Sequence, residues 1–131
     1  MNHLYRELAP ISDAAWAEIE EEAKRALGNF LAARRLVDFT GPHGWDAAAV
    51  PLGTIEALGD SPAPGVEGAR RLVQPYVELR ARFSLRRDEL DTIDRGHKSP
   101  DLEAVTDGAR RVALAEDIAV FHGCQGAGIV G

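Results

Sequence analysis

Residues 75–96 read PYVELRARFSLRRDELDTIDRG, and a change of period inside this stretch decides the fold class. Val77, Leu79, Ala81 and Phe83 alternate with Tyr76, Glu78, Arg80 and Arg82. Period 2 predicts a half-buried strand over 76–83. At Ser84 the pattern changes: serine suits a helix N-cap, and Leu90 and Ile93 fall at helical spacing. A strand running into a helix points to an α+β chain. Charge follows the same order. Arg80, Arg82, Arg86 and Arg87 come before Asp88, Glu89, Asp91 and Asp94, so a basic strand face runs into an acidic turn. The stretch holds no catalytic set; it is a surface suited to meeting another surface.

On the N-terminal side, residues 12–34 predict an amphipathic helix. Ser12 is its N-cap, and Trp16, Ile19, Ala23, Leu27, Phe30 and Leu31 form a stripe at spacings of three and four. Lys24, Arg25, Arg34 and Arg35 lie towards the end that the helix dipole favours for cations. Gly28 costs about 1 kcal/mol against alanine inside a helix, which suggests a close approach or a bend there. Leu36–Phe39 is a short β-like run, and Trp45, in the turn-rich GPHGW, is expected to anchor in the core.

Residues 49–58 read as an extended arm, irregular at Pro51 and Gly53. GDSPAPG at 59–65 is a tip, and the chain returns through 66–73. Residues 49–83 therefore form a long two-armed loop, a kind usually given to function or to packing on a partner. A second helix is expected over 100–121, with Ser99 as N-cap, Pro100 at its first position and Gly123 as its stop.

At 131 residues the chain fits one domain with a real core. A net charge of −6 argues against a general nucleic-acid binder. No apolar run approaches the length of a membrane span, and the N-terminus lacks a signal-peptide core. A single cysteine, Cys124, leaves no internal disulfide. Together these favour a soluble cytoplasmic protein.

The candidate chemical motifs are weak. Gly126, Gly128 and Gly131 spell GxGxxG, but a helix precedes them and none follows in this sequence, so a loop is expected rather than a dinucleotide site. His3, His43, His97 and His122 stand singly, without the spacing of a metal site. Cys124 has no neighbouring His or Cys, and no serine sits in a GxSxG elbow. No catalytic residue, metal or cofactor is expected. Leu27, Leu31 and Arg34, with Asp38 just beyond, combine two apolar side chains with an ion-pairing couple near a helix end. That set fits a peptide groove; a core-facing stripe with an ordinary surface ion pair is the simpler reading.

Several segments together resemble the encapsulin shell proteins, the linocin-like family of nanocompartments: LYRELAPISDAAWAEIEEEAKR, ARRLVDFTGPHGW, VPLGTIEAL, VELRARFSLRRDELDTIDRG and LAEDIAVFHGCQGAGIVG. The resemblance runs from residue 2 to residue 131 and implies a fold like that of tailed-phage major capsid proteins. In that scheme residues 1–48 hold the N-terminal helix and the start of the peripheral domain. Residues 49–83 are the extended loop, and 84–131 carry the spine helix.

The resemblance further implies self-assembly into a closed icosahedral shell in the cytoplasm. Cargo enzymes, peroxidases or ferritin-like proteins, would be captured through a targeting peptide. Leu27, Leu31, Arg34 and Asp38 match the family's cargo groove, which shifts the reading of that set towards peptide binding. Arg80, Arg82, Asp88, Asp91 and Asp94 become the expected subunit interface. Asp88 stands where some members place a flavin-binding aromatic residue, so flavin is not expected. Family members run about twice as long, so a half-length chain is expected to pair with a complementary C-terminal half or to self-associate in a non-shell form. The alternative is a helical peptide-binding adaptor that forms no shell.

Overall fold

The computed structural model describes residues 8–131, so the expectations for His3 and the N-terminal match lie outside the described residues. Helix α1 spans Asp13–Phe30. As expected, Ser12 caps it: its hydroxyl accepts the Ala15 amide at 3.1 Å, satisfying one orphan donor of the first turn.

The helix ends at Phe30 rather than at 34, and the reason is tertiary. The Asp117 carboxylate accepts the Ala32 and Ala33 amides at 3.1 and 2.9 Å. Arg35 donates to the Gly28 carbonyl at 2.6 Å, the acceptor that a continued helix would have used for Ala32. The chain instead makes a short 3-10 turn, Ala33–Arg35. Gly28 makes no close approach, since a Cβ there would have nothing within 4 Å.

Strands β1 (Ala49–Ala57) and β2 (Ala69–Pro75) form an antiparallel hairpin, the arm expected from the sequence. Its register shifts between Pro51 and Ile55. Proline lacks a ladder donor, and Gly53 at φ 76° takes a backbone that other residues resist. The tip at 59–65 has no regular structure.

The strand expected over 76–83 does not form: these residues have no regular secondary structure, and Val77, Leu79 and Phe83 stay 44–47% exposed. Alternation marks a residue pattern that fits a sheet, but a strand needs an edge to pair with. Each of β1 and β2 pairs only with the other among the described residues. Leu36–Phe39 is likewise no strand, and Trp45 is 65% exposed rather than a core anchor.

Helix α2 covers Arg87–Asp94. Its N-cap position is Arg86 rather than Ser84, with no side-chain cap, and the Asp88 and Glu89 charges serve the first turn instead. Helix α3 spans Glu103–His122, three residues later than Pro100 suggested. Ser99 does not cap it: the N-cap position is Leu102, with no side-chain cap, and Asp101 one residue earlier accepts the Glu103 amide at 3.1 Å. Gly123, at φ 79°, ends it as expected. The tail folds back as two short strands, β3 (Gly123–Cys124) and β4 (Ile129–Val130), around a 3-10 turn.

The core lies where α1, α2 and α3 meet. Ala15, Ile19, Leu90, Leu102 and Val105 are buried there, with Trp16, Leu85 and Ile93 packed against them. Alanines 26, 109 and 113 are also buried, and their small side chains let α1 and α3 approach closely. Much apolar surface remains outside. Leu114, Ile118 and Phe121, on one face of α3, are 44–58% exposed.

Candidate peptide groove and subunit surfaces

The site residues on α1 start from helix periodicity. Leu27 and Leu31 stand four apart, half-buried, at the C-terminal end of α1, where the Leu31 amide donates to the Leu27 carbonyl at 2.9 Å. Arg34 follows in the 3-10 turn. Its expected partner, Asp38, is not the one it takes. The guanidinium forks onto Glu116 of α3, with Nη2 2.7 Å from Oε1 and Nε 2.9 Å from Oε2. A helix end places residue 34 facing α3, whereas Asp38 lies beyond the turn on an exposed, irregular stretch.

One face of the guanidinium stacks on Phe39, 4.4 Å from the ring centroid. The Glu116 hydrogen bond chiefly holds Arg34 in its charged form. Sequence reasoning missed Glu116, Asp117 and Phe39. The two acids sit more than eighty residues along the chain from Arg34, where spacing carries no signal.

The expected subunit surface is partly committed internally. Arg80 pairs with Glu78 at 2.9 Å, and Asp88 with Arg86 at 2.7 Å. The Arg86 hydrogen bond holds the Asp88 carboxyl below the usual aspartate range. Asp94 accepts the Ser12 hydroxyl at 2.5 Å. The Arg82 side chain is exposed while its carbonyl accepts from Arg111 at 2.6 Å, and Asp91 is half-buried. Two of the five charges, Arg80 and Asp88, are thus ion-paired with a residue two positions away, while Arg82, Asp91 and Asp94 have no ion pair among the described residues.

At the root of the hairpin lies an open cleft of about 660 Å³, lined in part by Pro42, His43, Trp45, Asp46, Tyr76 and Glu78. His43 hydrogen-bonds Thr40 at 3.1 Å. Among the described residues no group of three or more metal-ligating side chains converges. None of the described helices is long and apolar enough to cross a membrane. Of the GxGxxG glycines, Gly126 lies on the 3-10 turn, Gly128 is left-handed at φ 72° between that turn and β4, and Gly131 follows β4.

Helices clasped around a small core and a long exposed hairpin leave much of the described chain as open surface. The family model described as an encapsulating protein for peroxidase matches residues 1–131, so the chain belongs to that family, the encapsulin shell proteins.

The chain is 52% identical over 136 residues to the type 1 encapsulin shell protein of Rhodospirillum rubrum, covering 100% of this chain and 49% of that one. It is 47% identical over 131 residues to the type 1 encapsulin shell protein of Brevibacterium linens and 44% identical over 131 residues to that of Mycobacterium tuberculosis, with the same coverage of both partners. The chain thus spans about half the length of these relatives.

Proposed function

We propose that the chain is the N-terminal half of a structural shell subunit, which assembles with other subunits into a closed icosahedral nanocompartment in the cytoplasm and captures cargo enzymes. The observation that carries this reading is the family match along all 131 residues, with shell proteins at 44–52% identity. The proposed fold is that of tailed-phage capsid proteins, with α3 as the spine and the β1–β2 hairpin as the arm that reaches a neighbour.

Two features support it. A two-stranded hairpin with nearly every residue exposed is marginal by itself and gains from a neighbouring surface. The apolar face of α3 at Leu114, Ile118 and Phe121 and the unpaired stretch at Val77 and Leu79 lack cover among the described residues. A complementary C-terminal half chain would supply that cover and an edge for 76–83 to pair with. Cargo binds, in this reading, at Leu27, Leu31, Arg34 and Asp38, and the cargo is a peroxidase or ferritin-like enzyme bearing a targeting peptide. Arg82, Asp91 and Asp94 are the interface charges with no internal ion pair among the described residues, and Asp94 accepts only the Ser12 hydroxyl.

Electron microscopy and native mass spectrometry of the purified protein test the reading. Closed particles, or a complex with a second half chain, are expected. A well-dispersed monomer under assembly conditions contradicts it. Arg82→Glu is expected to lower particle yield, with charge acting on register more than on affinity; unchanged yield and size would remove Arg82 from the interface.

A further inference from the structure

We propose that Glu116 and Asp117, adjacent on α3, are the positioning residues of the peptide groove: Asp117 sets the backbone that carries Arg34, and Glu116 sets the guanidinium itself. The proposal rests on the reading of residues 27–38 as a peptide site. Asp117 accepts two successive amides, Ala32 at 3.1 Å and Ala33 at 2.9 Å. A carboxylate there satisfies the amide donors that the start of the 3-10 turn leaves open and fixes the chain direction into Arg34. Glu116 then takes the Nε edge of Arg34 while Phe39 backs its face at 4.4 Å. Fork and ring together leave the guanidinium one orientation.

This arrangement has a consequence for the ligand. Arginine carries five N–H donors, and Glu116 engages Nε and Nη2. Nη1 has no partner among the described residues. Its charge is already matched, so an incoming peptide carboxylate would meet the Glu116 and Asp117 charges as well as the arginine. A neutral acceptor fits the remaining edge better. The site therefore takes an apolar peptide, seated on Leu27 and Leu31, that offers a main-chain carbonyl or hydroxyl to Arg34. Asp38 has no part in orienting the arginine.

The test uses the full chain and a fluorescein-labelled synthetic peptide copying the targeting peptide of a peroxidase cargo enzyme, read by fluorescence anisotropy. Arg34→Ala and Glu116→Gln are each expected to weaken binding about fivefold to tenfold, the scale of one oriented hydrogen bond. The double variant is expected to bind no worse than Arg34→Ala alone. Glu116→Gln should leave the Tm unchanged, because a half-exposed ion pair holds little of the fold, and Glu116→Asp should recover part of the affinity. Affinity should move less than about twofold between low and physiological salt, since no new ion pair forms.

Wild-type affinity in Glu116→Gln, or effects that multiply in the double variant, would overturn the role of Glu116 while the groove stands. Wild-type affinity in Asp117→Ala would do the same for Asp117. A steep salt dependence would overturn the neutral-acceptor assignment. Binding that is absent in the wild type, or unchanged in both Leu27→Ala and Arg34→Ala, would overturn the groove reading and this proposal with it.

Discussion

The Ser12 hydroxyl donates to the Asp94 carboxylate at 2.5 Å while accepting the Ala15 amide at 3.1 Å. One side chain thus caps α1 and ties its start to the last turn of α2. Ser12→Ala removes both bonds and is expected to cost about 1–2 kcal/mol, the upper range for an N-cap. Asp94→Ala leaves the cap and is expected to cost under about 1 kcal/mol. Urea midpoints of the two single variants and the double should be non-additive, because both lose the same bond. Additive losses would show that the Ser12–Asp94 contact contributes nothing. Asp94 is also an expected interface residue, so any assembly defect in its variants has to be compared with their stability first.

The Phe83 ring occupies the space beside Gly108: a Cβ there would stand 3.1 Å from the ring's Cδ1. Gly108 lies inside α3, where alanine is favoured over glycine by about 1 kcal/mol. Phe83 is 45% exposed and belongs to the stretch without regular structure, so its ring has room to yield a few tenths of an ångström. Gly108→Ala is therefore expected to stabilise the isolated chain by about 0.5–1 kcal/mol. A loss of Tm instead would mean that Phe83 is pinned where it lies.

The helical frame was legible because its signals are local. The Ser12 cap, the Trp16–Ile19–Ala23 stripe and the Gly123 stop each lie within a turn of what they control. The hairpin followed from Pro51, Gly53 and the GDSPAPG tip. The failures share one cause. The strand over 76–83 required an edge that alternation cannot supply. Trp45 had the chemistry of a core anchor without a core beside it. The end of α1 was set by Asp117 and the partner of Arg34 by Glu116, both on α3. At the candidate groove, the local pattern singled out Leu27, Leu31 and Arg34, whereas Glu116 and Asp117 lie too far along the chain for spacing to signal.

Leu90 and Leu114 separate the chain's own stability from what assembly asks of it. Leu90 is 6% exposed in the three-helix core, whereas Leu114 on α3 is 58% exposed. Leu90→Ala is expected to cost about 2–4 kcal/mol in denaturant unfolding, transfer and cavity together. Leu114→Asp is expected to leave the isolated chain within about 0.5 kcal/mol of wild type while abolishing association with a complementary chain or a second copy. Sedimentation velocity beside urea unfolding distinguishes the two effects. Unimpaired association in Leu114→Asp would remove this face of α3 from the proposed contact.

Glu22 sets a pH dependence across the α1–α3 joint. Its carboxylate accepts from Arg25 at 2.5 Å and from the Thr106 hydroxyl on α3 at 2.6 Å. The Arg25 hydrogen bond and then the Thr106 one hold its pKa below the ordinary glutamate value. A depressed folded-state pKa means that the unfolded chain takes up the proton first. The stabilisation is therefore present above the unfolded value and is lost as pH falls through the folded one. Thr106→Val should raise the Glu22 pKa towards normal, and Glu22→Gln should remove its titration altogether. Both are expected to flatten the fall of the urea midpoint with pH below the ordinary glutamate range, Glu22→Gln more than Thr106→Val. The effect should be small, because the carboxylate lies near solvent and salt screens it. An acid limb as steep in Glu22→Gln as in wild type would assign that limb to other carboxylates, with Asp88, lowered by Arg86, the next to replace.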